Sequence, residues 1–280
     1  MTDAPRIGVV LSTLGVGAGE WLERARRLEA AGYSSVWAWD HFVSRGDRTT
    51  PVLESWTMLS AAAASTGRVT IGPFVANVMN RHPAVLARMS STLQAVSGGR
   101  HVLGLGIGGH PAEHHAYGID FPEPAARAAR LRETIRALRL LWTGGPVTFE
   151  GEHVRLTEAY AYAPPEPPPP ILVGAGSPAG VRIAAELGDG WAAEAEGFFE
   201  LEPRYREALA AAGRRREDQR VVLAFGAWRH KTPEWLSQHA LVTSPREELA
   251  RLNELGADEA ILTVRTTDDV DTLIAATDRW

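Results

Sequence analysis

A regular alternation of two residue patterns constrains the fold of this chain most strongly. Eight short apolar runs, Ile7 to Leu11, Ser34 to Trp39, Val69 to Val75, His101 to Leu105, Ile171 to Val173, Gly190 to Ala193, Val221 to Phe225 and Ala260 to Val264, recur along its 280 residues. Runs of this kind, bounded by turn residues and lacking a polar face, predict strands buried on both sides. Between them lie stretches with helical spacing, among them Trp21 to Ala31, Glu54 to Ser65, His82 to Val96, Pro124 to Trp142 and Leu201 to Ala212. Leu131, Ile135, Leu138 and Leu141 form one apolar stripe of that kind, with arginines read as a solvated face. Gly32 and Gly213 stand where helix C-caps belong, and Pro83 and Pro178 where helices open. Further helices are expected over Arg246 to Leu255 and Val270 to Ala276. Strand and helix in strict alternation predict a single (β/α)8 TIM barrel over residues 1–280, an α/β fold. An open doubly wound sheet is the competing arrangement. Its dinucleotide fingerprint is missing, because Pro111 intervenes after the glycines and no helix is expected to open directly there.

The stretch at 144–170 departs from the alternation. Val147, Phe149, His153 and Arg155 flank Glu150-Gly151 as in a hairpin-like excursion, and prolines 164 to 170 make a stiff extended connector. The net charge of −5 gives no electrostatic case for nucleic acid or an anionic membrane surface. There is no cysteine, which removes disulfides, thiolate catalysis and zinc-thiolate sites. The first residues lack a basic leader and a membrane-length apolar run, so a cytoplasmic location is expected.

Chemistry-bearing residues gather where the strands end, the face on which parallel barrels carry their sites. Asp40-His41 follows the second strand, Asn77 and Asn80 follow the third, and Gly104, Gly106, Gly108 and Gly109 follow the fourth. Glycines at a strand's carboxyl end allow a flat or anionic partner to lie close to the main chain. After the fifth strand, Gly174-Ala175-Gly176-Ser177 leads into the helix opened by Pro178, where free amides and the helix dipole favour a phosphate. The histidines at 110, 114 and 115 beside Glu113 raise the question of a metal, but Pro111 and the lack of a second carboxylate cluster argue against one.

Longer segments carry a resemblance. WAWDHF at 37–42, ESW at 54–56, RHPAVLARMSSTLQAVSGGRHVLGLGIGG at 81–109, EHHAYGIDFP at 113–122, ILVGAG at 171–176 and GDGW at 188–191 resemble the bacterial luciferase-like flavin and deazaflavin oxidoreductases. The similarity is greatest to the branch that uses coenzyme F420. It implies a luciferase-like barrel in which a bulge after strand 3, with a non-prolyl cis peptide matching Phe74-Val75 and continuing through Ala76, backs the cofactor ring. Asp40 and His41 match residues beside cofactor and substrate, and Asn77 a polar position at the ring edge. Ile107 and Gly108 match backbone that contacts the cofactor. Gly174, Ala175, Gly176, Ser177, Ala179 and Gly180 match the loop and helix start that hold its phosphate. His41 suits acid–base work near neutral pH, Asp40 could orient it, and Glu113 is a second catalytic candidate or a loop anchor. Sugar-phosphate dehydrogenases of the superfamily carry glutamate at Gly109 and asparagine at Ala112, and this chain carries neither.

The resemblance therefore implies hydride transfer between coenzyme F420 and an unidentified small-molecule substrate. An FMN-dependent monooxygenase served by a partner reductase and a non-catalytic deazaflavin-binding barrel stand as alternatives. A homodimer is expected from the family.

Overall fold

The computed structural model of the chain describes residues 6–160, 163–226 and 234–280. The end of the expected excursion near Tyr162 lies outside the described residues. The chain runs β1 (Ile7–Leu11), α1 (Ala18–Ala30), β2 (Ser35–Ala38), α2 (Ser55–Ser65), β3 (Thr70–Pro73), β4 (Ala76–Asn77), α3 (Pro83–Val96), β5 (Leu103–Gly106), α4 (Pro111–Tyr117) and α5 (Pro124–Leu141). It continues with β6 (Val147–Glu150), β7 (Arg155–Ala159), β8 (Ile171–Gly174), α6 (Pro178–Leu187), β9 (Gly190–Glu194), α7 (Ala195–Ala211), β10 (Arg220–Phe225), α8 (Trp235–Gln238), α9 (Ala240–Thr243), α10 (Pro245–Glu254), β11 (Glu259–Val264) and α11 (Thr267–Ala276).

The strands form one parallel sheet in the order β3-β2-β1-β11-β10-β9-β8-β5-β4. The third barrel strand is split, β3 and β4 being its two halves, and the sheet closes where Ile71 bridges His101 and β4 pairs with β5. Eight barrel strands result, as the alternation predicts. The close approach at this seam explains two glycines. A Cβ on Gly72 would lie 2.0 Å from the Val102 carbonyl, and one on Gly104 would lie 2.3 Å from the Pro73 carbonyl. The hairpin reading also holds, since β6 and β7 pair antiparallel.

Successive residues of a strand face opposite ways, so each strand feeds two layers. Val10, Trp37, Phe74, Val102, Leu172, Ala192, Val222 and Ile261 fill the barrel interior. Their neighbours Val9, Leu11, Val36, Ile71, Leu103, Leu105, Leu223 and Leu262 pack outward with the helices. The amino-terminal end of the barrel is closed by polar groups: buried Glu259 accepts hydrogen bonds from Ser34 (2.9 Å) and Ser35 (2.6 Å) and pairs with Arg220. Interior side chains thus plug one end and leave the carboxyl end for chemistry.

Three expectations are corrected. Pro111 does not break the chain after the glycines; it occupies the first turn of α4, where its missing N–H costs nothing. The helix expected from Leu201 begins at Ala195, directly after β9, and accommodates Pro203 in its interior. The arginines of α5 are not all solvated, for Arg127 is buried. None of the described helices is long and apolar enough to cross a membrane.

Candidate active site

The carboxyl ends of the strands surround a cavity of about 490 Å³, within the range of small-molecule sites. It collects Asp40 and His41 after β2, Phe74, Val75 and Asn77 at the split strand, Ile107 and Gly108 after β5, Glu113 on α4, and Gly174, Ala175 and Gly176 after β8. The remaining site residues expected from sequence lie elsewhere: Ala76 is fully buried in β4, and exposed Ser177 and Ala179 with half-buried Gly180 form the rim at the start of α6. Ser177 caps that helix, its hydroxyl accepting from the Gly180 N–H at 3.2 Å.

One wall is the bulge. The Phe74-Val75 peptide is cis, and it turns the Val75 side chain towards three glycines. A Cβ on Gly104, Gly106 or Gly174 would fall within 3.0 Å of a Val75 methyl group. These glycines therefore seat Val75, which presents an aliphatic face to the cavity.

Asp40 serves this wall. Its carboxylate accepts from Arg81 at 2.6 and 2.9 Å, from the Ser55 hydroxyl at 3.0 Å and from the Asn77 N–H at 3.0 Å. Arg81 also reaches Glu54 at 2.8 Å. Burial disfavours the Arg81 charge, but the facing carboxylates outweigh it and hold the guanidinium firmly protonated. With those partners Asp40 anchors the split strand to β2. Asn77 is similarly engaged: its amide meets Asn80 at 3.2 Å and His114 at 2.7 Å, and its carbonyl accepts from the Met79 N–H.

The residue that orients His41 is Glu113. One carboxylate oxygen lies 2.8 Å from Nδ1 of His41 and 3.2 Å from Nδ1 of His110, while the other accepts from the Phe42 N–H. Glu113 is 3% exposed. Burial pushes its carboxyl up, yet the hydrogen bonds from His41 and Phe42 prevail and hold it below the usual carboxylate range. The ligand atoms of His41, His110 and Glu113 lie within 4.8 Å of one another. The polar cluster is thus made by His41, His110 and Glu113, whereas His114 turns to Asn77.

Sequence reasoning missed several lining residues. His110 was weighed only for metal, and Trp39, Arg45, Trp191, Glu194, Glu196 and Leu201 were not singled out, although all line the cavity. Glu194 stands at the end of β9 as Asp40 and His41 stand after β2, so the same positional rule points to it. Buried Arg127 donates to the carbonyls of Ile107 (2.9 Å) and Gly108 (2.6 Å), fixing the glycine turn from behind. Nothing in the amphipathic pattern of α5 marks it.

The barrel fold agrees with the comparisons to known proteins. The family model described as luciferase-like monooxygenase matches residues 4–266, and the chain belongs to that family. It is 37% identical over 217 residues to an F420-dependent glucose-6-phosphate dehydrogenase of Kineococcus radiotolerans, covering 75% of this chain and 64% of that protein. The chain thus spans just under two thirds of that relative's length. A protein of the same description from Nakamurella multipartita is 32% identical over 292 residues, covering 97% of this chain and 86% of the relative. Among solved structures, an F420-dependent secondary alcohol dehydrogenase in complex with an F420-acetone adduct superposes with a TM-score of 0.82 at 21% identity, covering 97% of each chain.

Proposed function

We propose that the protein is an oxidoreductase that moves a hydride between coenzyme F420 and a small organic alcohol or carbonyl compound. The observation that carries this reading is His41 held on buried Glu113 in a cavity whose lining also brings together the aliphatic face of Val75 and the glycine-rich turn at 106–109. A flat ring fits against such a wall, and the open backbone at Gly176, where an added Cβ would meet nothing within 4 Å, leaves room for an anionic tail at the start of α6. The names of the relatives support the choice of a deazaflavin over FMN.

When bound, the deazaflavin supplies a ring carbon that accepts or donates hydride. The protein's part is positioning and proton handling. Val75, Ile107 and Gly108 hold the ring, and Gly174, Ala175, Gly176, Ser177, Ala179 and Gly180 hold its tail. His41 removes the hydroxyl proton as hydride leaves the adjacent carbon of an alcohol, and Glu113 stabilises the imidazolium so formed. Asp40 and Asn77 support the bulge behind the ring. With glycine at 109, the substrate of the sugar-phosphate relatives loses one matching carboxylate, so glucose 6-phosphate is one compound to assay beside secondary alcohols.

The test is F420 reduction followed by absorbance with glucose 6-phosphate, 2-propanol and longer secondary alcohols. His41→Asn lowers kcat by about 10²- to 10⁴-fold while cofactor affinity stays within a few-fold. Binding without turnover on a broad panel would favour a carrier, and turnover only with reduced FMN and oxygen would favour a monooxygenase.

A further inference from the structure

We propose that His110 is a second acid–base residue of the pocket, coupled to His41 through the Glu113 carboxylate to which both rings donate. The inference rests on the proposed function for its role in turnover, but its geometry belongs to the protein alone. Both rings place Nδ1 on the same Glu113 oxygen, at 2.8 and 3.2 Å. Their centroids are 6.0 Å apart, with the planes crossed at 81°. Both side chains line the cavity, 25% and 18% exposed, while the carboxylate between them is almost fully enclosed. With Nδ1 of each ring turned onto Glu113, Nε2 is the nitrogen that each of these cavity-lining side chains offers for proton exchange.

One Glu113 oxygen thus serves both rings, and a change at either ring reaches the other through that shared acceptor. The other charged groups packed around it are Arg45, whose guanidinium lies 3.4 Å from the Gly109 carbonyl, Glu194 at the end of β9, and His114 with Arg127 behind α4. In alcohol oxidation the O–H bond breaks with its proton passing to Nε2 of one ring, while the C–H pair leaves as hydride for the cofactor. The carbonyl product is released, and the proton leaves to solvent through whichever ring is the more open. Reduction runs the same steps in reverse. His110 thereby supplies, one position along the chain, a proton-carrying side chain where Gly109 offers none.

The test has two arms. In the first, cofactor-free protein labelled with ¹⁵N-histidine is examined by NMR, with His41→Asn and His110→Asn assigning the signals. The expected result is two hydrogen-bonded Nδ1–H signals that both move on Glu113→Gln, with the His41 signal displaced in His110→Asn. A His41 signal unchanged in His110→Asn overturns the shared-carboxylate proposal. In the second, with whichever of glucose 6-phosphate or 2-propanol supports turnover, His110→Asn lowers kcat about tenfold with KM within threefold, and added imidazole restores kcat in His110→Ala. A kcat within twofold of wild type, or no rescue by imidazole, overturns the catalytic role. A wild-type protein that binds F420 but turns over no member of the full alcohol panel overturns the proposed function instead, while the first arm still tests the pairing.

Discussion

Replacing Asp40 tests whether the bulge wall is held by charge. Its carboxylate is 4% exposed and receives two bonds from Arg81, one from Ser55 and one from the Asn77 N–H. Removing one partner of a buried ion pair costs about 3–5 kcal/mol, because the other charge is left uncompensated. Arg81 retains Glu54, which is 42% exposed, so the lower end of that range applies to the pair. Asp40→Ala also strands the buried Ser55 hydroxyl and the Asn77 amide, at about 1 kcal/mol or more each. The expected loss is about 5 kcal/mol for Asp40→Ala and about 4 kcal/mol for Asp40→Asn, which keeps an oxygen for one of Ser55 and Asn77. Urea unfolding of the three proteins measures both values, and the order Ala worse than Asn is part of the prediction. Losses under 1 kcal/mol in both variants would refute the claim that this ion pair anchors the split strand.

Four other perturbations follow from the same geometry. His101, fully buried between Ser90 and the Ile71 carbonyl, has its imidazole pushed down by burial from 6.5 to about 4. The unfolded chain then binds a proton that the folded one refuses, so stability is complete above pH 6.5 and falls by up to about 3 kcal/mol as pH approaches 4; His101→Gln lacks that portion of the slope in pH-dependent urea melts, and an identical slope would remove the assignment. Gly176→Leu meets open space, so Tm stays unchanged while F420 affinity drops at least about tenfold by equilibrium titration; unaltered affinity would move the tail site away from α6. Arg127→Met frees the carbonyls of Ile107 and Gly108 and costs about 2–3 kcal/mol of stability together with cofactor affinity, measured by melts and titration; a loss of stability alone would leave the turn uninvolved in binding. The His41→Asn kinetics described above complete the set.

The sequence made the barrel legible because strands buried on both faces read as unbroken apolar runs, and eight of them alternate with helices. What it could not display was the break in the third strand. Gly72, Pro73 and Phe74 read as one run continuing to Val75, and only the resemblance marked a cis bond there. At the site, Asp40, His41 and Glu113 all line the cavity, but the orienting role that the sequence offered to Asp40 falls to Glu113, and Asp40 belongs to Arg81. Such pairings cross 72 and 41 residues of chain, a distance over which local periodicity carries no information. The sequence raises His110 only as a metal question, because nothing local shows that Pro111 is the first-turn residue of α4 that delivers Glu113 to both His41 and His110.

In the proposed function, the cavity lined by Val75 and the glycine turn receives a deazaflavin ring. Equilibrium titration of the purified protein with coenzyme F420 and with FMN, followed by the fluorescence of Trp39 and Trp191 on the cavity wall, tests it directly. The account predicts saturable F420 binding that Gly176→Leu weakens, with FMN bound less tightly. Saturable FMN binding with no response to F420 would contradict it.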